Sequence, residues 1–434
     1  MTEPSKLPIA VIGAGPIGLA AAANLVEQGL TPIIFEAGSR VAANIWQWRH
    51  VRLFTPWSML LDPAGKRLLE ANGGWTEPCG DAVPDAKELV EEFLDPLAAH
   101  SAIASQIKLH HKVVSVSRDG HDRMKDGNRN DAPFLIVTET ADGPRRFKAR
   151  AVIDASGTWT NPNPLGAGGV MADGEQQLRS HIRYGIPDVL GQQRQRYSGK
   201  RVLVVGSGHS AFGSALSLAE LRNEDQATSV TWGIRRTDTS TLWGKGCADE
   251  IAERGALGTR VQSAVKSGAV TLMPGLSISA LKQHGDDGIE VIDVEGVARV
   301  VVDEIIVSAG SRPNLEMLRE LRLEFDLATE AAKRLGNLIN PNHHSCGSVP
   351  PHGAEELKHP EPNFYVVGMK SYGRAPTFLL RTGFEQVRSV VAEMAGDHSS
   401  AQRVELTLPQ NDACSTESAC DAEETACDSA YRER

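Results

Sequence analysis

The stretch Gly13-Ala14-Gly15-Pro16-Ile17-Gly18 limits what this chain can fold into more than any other. An apolar run over residues 8–13 precedes it and reads as a buried parallel strand. A helical pattern over 16–28 follows, and Thr31 to Glu36 reads as a second strand, so the three pieces form a βαβ unit. Each glycine answers a different steric demand. Gly13 permits the tight turn, Gly15 lets backbone approach a pyrophosphate, and Gly18 lets helix pack on strand. Pro16 and Ile17 open the helix, whose unpaired N–H groups and dipole favour an anion. Glu36 closes the second strand, where a carboxylate can accept bonds from ribose hydroxyls.

A second copy begins at Lys200. Arg201 to Val205 is a strand, Gly206-Ser207-Gly208-His209-Ser210-Ala211 is the turn, Ser210 to Arg222 is a helix and Ser229 to Ile234 a strand. Ala211 stands at the third glycine position, which the fingerprint permits. No acid closes this unit. Arg235 and Arg236 follow its last strand, and two guanidiniums suit a 2′-phosphate through bidentate, charge-assisted bonds. NADPH is therefore expected over NADH. Two dinucleotide sites in one chain imply one bound flavin, FAD, and one exchanging nicotinamide. The expected fold is α/β, with two Rossmann-like dinucleotide-binding domains and small antiparallel β pieces. Strands are expected at Ile107–Ser117, Phe134–Thr140 and Arg146–Ile153, and later at 270–272, 288–294, 299–302, 304–307 and 363–367. A polar hairpin loop is expected over 118–132.

Composition narrows the function. Net charge is −10, which excludes a nucleic-acid binder that works by coating phosphates. From Asp412 to Arg434 there are seven acidic and two basic residues, so half of the excess sits at the C-terminal end. Residues from 409 on are rich in Ser, Thr, Ala and acid and read as a disordered tail. Leu7 to Val26 carries no charge over 20 residues, the length of a membrane span. Pro8, the glycine turn and Asn24 interrupt it, so no membrane segment is expected. The six cysteines, Cys79, Cys247, Cys346, Cys414, Cys420 and Cys427, form no C-x-x-C. A reduced, cytoplasmic setting and no metal site are expected.

With two such turns the chain resembles the flavoproteins that carry two dinucleotide-binding domains, namely flavin-containing monooxygenases and pyridine nucleotide–disulfide reductases. The resemblance covers residues 7–395. Ala151-Val-Ile-Asp-Ala-Ser-Gly157 and Ile305-Ile-Val-Ser-Ala-Gly310 look like the strand-then-glycine crossings between the domains of that group. Phe364-Tyr-Val-Val-Gly368 looks like the late strand that reaches the flavin, with Met369 where many relatives have Asp. The resemblance implies a discontinuous FAD domain (1–165 and 304–408), a linker (166–199), an inserted NADPH domain (200–303) and the tail (409–434). The Asn44–Pro56 segment looks like the tryptophan-bearing segment of flavin monooxygenases and would carry Trp46 along the flavin ring. His181 and Tyr184 echo a monooxygenase signature without its Phe-x-Gly and read as structural. The 158–188 linker and Lys370–Phe378 resemble the flavin monooxygenase-like proteins of arsenic-resistance operons.

The resemblance implies an FAD- and NADPH-dependent oxidoreductase whose reduced flavin activates O₂ to oxygenate a soft heteroatom or carbonyl of a small molecule. No catalytic acid–base pair is apparent. Two alternatives stay open. One is an NADPH-dependent reductase of a disulfide, arsenical or metal ion, using Cys346 and the tail cysteines. The other is a non-enzymatic FAD/NADPH redox sensor. A homodimer is left open as well.

Overall fold

The computed structural model describes residues 6–406 apart from 245, 250, 286–287, 343–348 and 377. Its contacts divide the chain into two units. Of the described residues, the first gathers 6–49, 56–161 and 312–406. The second is built from His50–Thr55 and Pro162–Ser311.

In the first unit, Ile9–Ile12 (β1) is buried at every position and leads through the glycine turn into Pro16–Glu27 (α1). Pro32–Phe35 (β2) returns alongside it. Pro63–Asn72 (α2) follows, capped by the Asp62 carboxylate, which accepts from Gly65 N at 2.7 Å. The stretch expected as one strand over 107–117 is two. Ile107–Lys108 (β3) pairs in parallel with β2, whereas Lys112–Arg118 (β4) runs antiparallel to Phe134–Thr140 (β5). His110, at φ 58°, makes the break, because a left-handed residue cannot continue a strand. Gly143–Ala149 (β6) completes the antiparallel sheet, and Ala151–Asp154 (β7) pairs with β1.

The second unit opens with Ile182–Tyr184 (β8), then Arg201–Val205 (β9), His209–Glu224 (α3) and Ser229–Ile234 (β10). Ala252–Lys266 (α4) leads to Thr271–Pro274 (β11). Ile278–His284 (β12), Gly288–Asp293 (β13) and Ala298–Val302 (β14) form an antiparallel sheet, and Glu304–Val307 (β15) rejoins the parallel one. The parallel order is β11-β10-β9-β15-β8. One face buries Trp232, Tyr197 and Phe212. The other buries Leu203, Val205 and Ile305 with Ile289 and Val291 of β13. Strands β8 and β12 are additions to the sequence reading. β8 is three residues long, too short for a period, and β12 mixes polar and apolar residues without a run.

The chain then returns to the first unit. Phe364–Val366 (β16) adds beside β7, giving the order β16-β7-β1-β2-β3, and Leu380–Ala395 (α5) packs on α1. Phe35, Val152 and Phe364 meet Val116, Phe134 and Ile136 of the antiparallel sheet in one core. The fold is thus α/β, two parallel-sheet units each carrying a small antiparallel sheet. The uncharged Leu7–Val26 run resolves into β1, its turn and α1, and among the described residues no helix is long and apolar enough to cross a membrane.

The polar 118–132 segment does connect β4 to β5, but it is not simply a solvated loop. Arg118 and Arg129 are buried and share the buried carboxylate of Glu361, at 2.8 and 2.7 Å. That triad joins the hairpin to the segment ahead of β16.

Candidate functional site

Ligands of open parallel sheets bind beyond the carboxyl ends of the strands. In the first unit three loops meet there, from β1, β7 and β16. Gly13 has φ 97°, and a Cβ on it would stand 2.8 Å from Ala155 O. A Cβ on Gly18 would lie 1.9 Å from Gly13 O. Both positions therefore exclude any side chain on steric grounds. Gly15 differs. It is the N-cap of α1 at φ −80°, and a Cβ there would meet nothing within 4 Å. Pro16 is the first helical residue, and Ile17 is buried beneath Gly368, whose φ is 72°. A glycine at an open helix N-terminus, free of internal demand, is what a closely approaching phosphate needs.

Glu36 follows β2. Its Oε2 accepts from Ala14 N at 2.9 Å and its Oε1 from Gly38 N at 2.7 Å. Each oxygen keeps a further lone pair for a ribose hydroxyl. A shallow, open depression in the same unit is lined by Ser39, Arg40, Val41, Asp95 and Leu109, among others. The Arg40 guanidinium lies 3.7 Å over the Trp46 ring and pairs with Asp95 at 2.7 Å. Arg49 also approaches that ring, at 5.1 Å. Trp46 is thus placed against cations, which the sequence reading did not foresee. Met369 is half-buried in a 3₁₀ turn over Gly368–Tyr372.

The second unit repeats the geometry. Gly206, at φ 135°, would place a Cβ 2.2 Å from Ser308 O. Gly208 caps α3 at φ −98°, with nothing within 4 Å of a Cβ. Ala211 is fully buried at the packing position, and Ser210 O accepts from Ser214 Oγ at 3.0 Å. His209 opens α3, packed between Phe54 at 5.1 Å and Phe212 at 5.7 Å. Burial, aided by Arg254 and opposed by Asp249, holds its imidazole below the usual range. Arg235 and Arg236 are exposed. Each donates one bond of 3.2 Å, to Ala167 O and Thr241 Oγ1.

The remaining candidates scatter. Tyr184 donates to the buried Glu175, which also accepts from Leu165 N and Ala172 N. Burial and that carboxylate push its hydroxyl pKa up. His181 Nδ1 lies 3.2 Å from Asp303 O. Both roles hold the 165–184 segment. Cys79 is disulfide-bonded, which corrects the expectation of free thiols. Cys346 and the three tail cysteines lie outside the described residues, as does the Cys247 side chain.

Sequence reasoning missed the charged group behind the first turn. Lys370 is buried and its Nζ donates to Asp154 Oδ2 at 2.6 Å and Ser156 Oγ at 3.0 Å. The signal was there in the acid that ends the otherwise apolar Ala151–Asp154, because a buried carboxylate needs a cation.

Residues 10–333 match the model of the pyridine nucleotide-disulphide oxidoreductase family. Over 311 residues the chain is 25% identical to ferredoxin–NADP reductase 1 of Cupriavidus necator, covering 70% of each protein. It is 26% identical over 244 residues to human flavin-containing monooxygenase 1, covering 54% of this chain and 43% of that protein. The bacillithiol disulfide reductase of Bacillus cereus superposes with a TM-score of 0.64 at 18% identity, covering 90% of this chain and 99% of that one. That likeness establishes the fold alone.

Proposed function

Since the chain belongs to the pyridine nucleotide-disulphide oxidoreductase family and is a flavin-dependent oxidoreductase, we propose that it is FAD- and NADPH-dependent and of the monooxygenase-like type. FAD occupies the first unit and NADPH the second. The observation that carries this reading is the pair of open cradles at Gly15 and Gly208, each at a helix N-terminus and each with nothing within 4 Å of a Cβ. Two such cradles call for two pyrophosphates.

When bound, FAD supplies the redox chemistry, taking hydride from NADPH and passing electrons to O₂. The chain supplies binding and electrostatics. N–H groups opening α1 hold one pyrophosphate, and Glu36 accepts from the ribose. N–H groups opening α3 hold the other, while Arg235 and Arg236 grip the 2′-phosphate. Their exposure leaves both guanidiniums able to turn to a ligand. Burial disfavours a charge on His209 at that turn. Substrates are small molecules with a soft heteroatom, an arsenical among them, or a carbonyl.

The family match favours a second reading, an NADPH-dependent reductase in which two electrons from flavin and two protons open a disulfide to two thiols. The experiment is NADPH oxidation followed with and without O₂. A monooxygenase-like enzyme stops turning over after one flavin equivalent under anaerobic conditions. A reductase continues anaerobically when a disulfide or arsenical is supplied, and that result would overturn the first reading.

A further inference from the structure

We propose that Lys370 is a positioning residue of the FAD site, cancelling the charge of Asp154 so that this carboxylate can clamp the loop behind the glycine turn without opposing the FAD pyrophosphate. The inference rests on FAD occupying the first unit.

The geometry is specific. Asp154 ends β7 with a fully buried side chain. Its Oδ1 accepts from Ser156 N at 3.1 Å and from Ser156 Oγ at 2.6 Å, which fixes the 154–157 loop. That loop lies directly behind the glycine turn. Ala155 N donates to Ile12 O at 2.9 Å, and a Cβ on Gly13 would stand 3.0 Å from Ser156 Cα. A carboxylate is thus buried one loop away from the helix N-terminus meant for an anion. Its other oxygen takes the Lys370 ammonium at 2.6 Å, with side-chain exposures of 0% and 1%.

Lys370 is itself held in place. It sits in the Gly368–Tyr372 turn. Gly368 N donates to Gln386 Oε1 at 2.8 Å, and Gln386 Nε2 reaches Ser371 Oγ and His352 Nε2, both at 2.9 Å. Val367 N donates to Asp154 O at 2.9 Å. An ammonium so buried does not reach out to a cofactor, so it acts through Asp154 and Ser156. A purely structural filler gains little from charge here, since a buried ion pair is often no better for stability than apolar packing. The pair instead gives the loop a strong acceptor at no net charge.

Three variants test this in the full chain: Lys370→Met, Asp154→Asn and the double variant. FAD release on dilution is read by flavin fluorescence, and the midpoint potential by dye equilibration. Lys370→Met leaves an unopposed carboxylate. FAD affinity should fall tenfold or more, and the potential should move to more negative values. Asp154→Asn leaves the Lys370 ammonium unopposed. It should bind FAD at least as tightly as the parent, because the amide oxygen still accepts from Ser156 and a positive charge does not oppose a pyrophosphate, and the potential should move to more positive values. The double variant should return to within threefold of the parent in affinity, with the potential restored. A structural role alone would lower the stability of Lys370→Met and of Asp154→Asn, each of which leaves a buried charge unpaired, with the midpoint potential unmoved in both, and that pattern overturns the proposal. So does unchanged affinity in Lys370→Met. Should Lys370→Met fail to fold, Asp154→Asn decides: FAD binding as tight as the parent's with the midpoint potential moved to more positive values supports the proposal, and an unmoved potential overturns it. A parent protein without FAD would instead overturn the functional reading on which this rests.

Discussion

The Glu36 carboxylate accepts the Ala14 backbone N–H at 2.9 Å, joining the end of β2 to the middle of the first glycine turn. The acid expected to serve a ribose is therefore also a strut for the pyrophosphate loop. Glu36→Ala removes both functions. Charge-assisted bonds contribute about 1.5–3 kcal/mol each, so the FAD dissociation constant should rise by about tenfold to a hundredfold. Fluorescence of released flavin on dilution measures this. Unchanged affinity would mean that the ribose and the turn are served by other groups.

Gly13 and Gly15 should fail in different ways. Gly15→Val places its side chain in open space at an ordinary φ. The apoprotein should fold with parental circular dichroism and melting temperature, yet purify colourless, because the branched side chain stands where the pyrophosphate must lie. Gly13→Val drives a Cβ to 2.8 Å from Ala155 O at φ 97°. It should lower stability whether or not FAD is present. Stoichiometric FAD in Gly15→Val would remove the assignment of the first site.

Among the described residues Arg235 and Arg236 each donate one side-chain bond, at 3.2 Å, and both are exposed, so replacing them should leave the fold intact. Arg235→Ala with Arg236→Ala should raise KM for NADPH about tenfold or more, given the strength of charged hydrogen bonds, and leave NADH kinetics nearly unchanged. Steady-state assays with both coenzymes decide. An equal loss for both would make the arginines structural.

Asp62 yields a stability prediction independent of cofactor. It caps α2, reaches Asn24 at 3.4 Å and is fully buried. Burial is the main cause that lifts its pKa from 3.8 to about 7, with Glu27 adding to the rise and Gly65 N, Asn24 and Arg67 opposing it. A carboxyl with a raised folded pKa stabilises the protein at low pH, and that contribution is lost as pH climbs through the folded value. Stability should thus fall by about 1.4 kcal/mol per pH unit between roughly 4 and 7 on its account. Asp62→Asn keeps the cap acceptor and removes the titration. Its melting temperature should exceed the parent's by several degrees at pH 8 and match it near pH 4. A constant difference across that range would show that Asp62 does not titrate in the window.

What the sequence carries legibly is what local backbone demands. Gly13, Gly18 and Gly206 are written by sterics within a few residues of contact or at a neighbouring strand end, so their turns could be read directly. The contrast between Glu36 after β2 and Arg235 after β10 could be read because an acid is missing at one defined position. Long-range charge could not. Lys370 and Asp154 lie 216 positions apart, and Arg129 and Glu361 lie 232 apart. Nothing in either neighbourhood names the partner. Only the cost of burying a lone charge implies that each must have one. The split at His110 was hidden for another reason, because β3 is two residues long and only three residues separate it from β4.

The thiols decide between oxygenation and reduction. For a monooxygenase, hydride and oxygen chemistry need only the two nucleotide sites and the flavin ring. Deletion of residues 410–434, Cys346→Ser and Cys79→Ser should then each leave O₂-dependent NADPH oxidation within about twofold of the parent. For a reductase that relays electrons through cysteine, the acceptor thiol carries electrons away from the flavin, and its loss strands them there. Flavin bleaching by NADPH would stay fast in stopped-flow traces while multiple turnover ceased. Cys79→Ser belongs with the other two because Cys79 is joined in a disulfide. We expect turnover with O₂ to survive all three changes. Sustained anaerobic NADPH oxidation with a disulfide or arsenical, abolished by Cys79→Ser or by tail removal, is the outcome that would transfer the chain to the reductase reading.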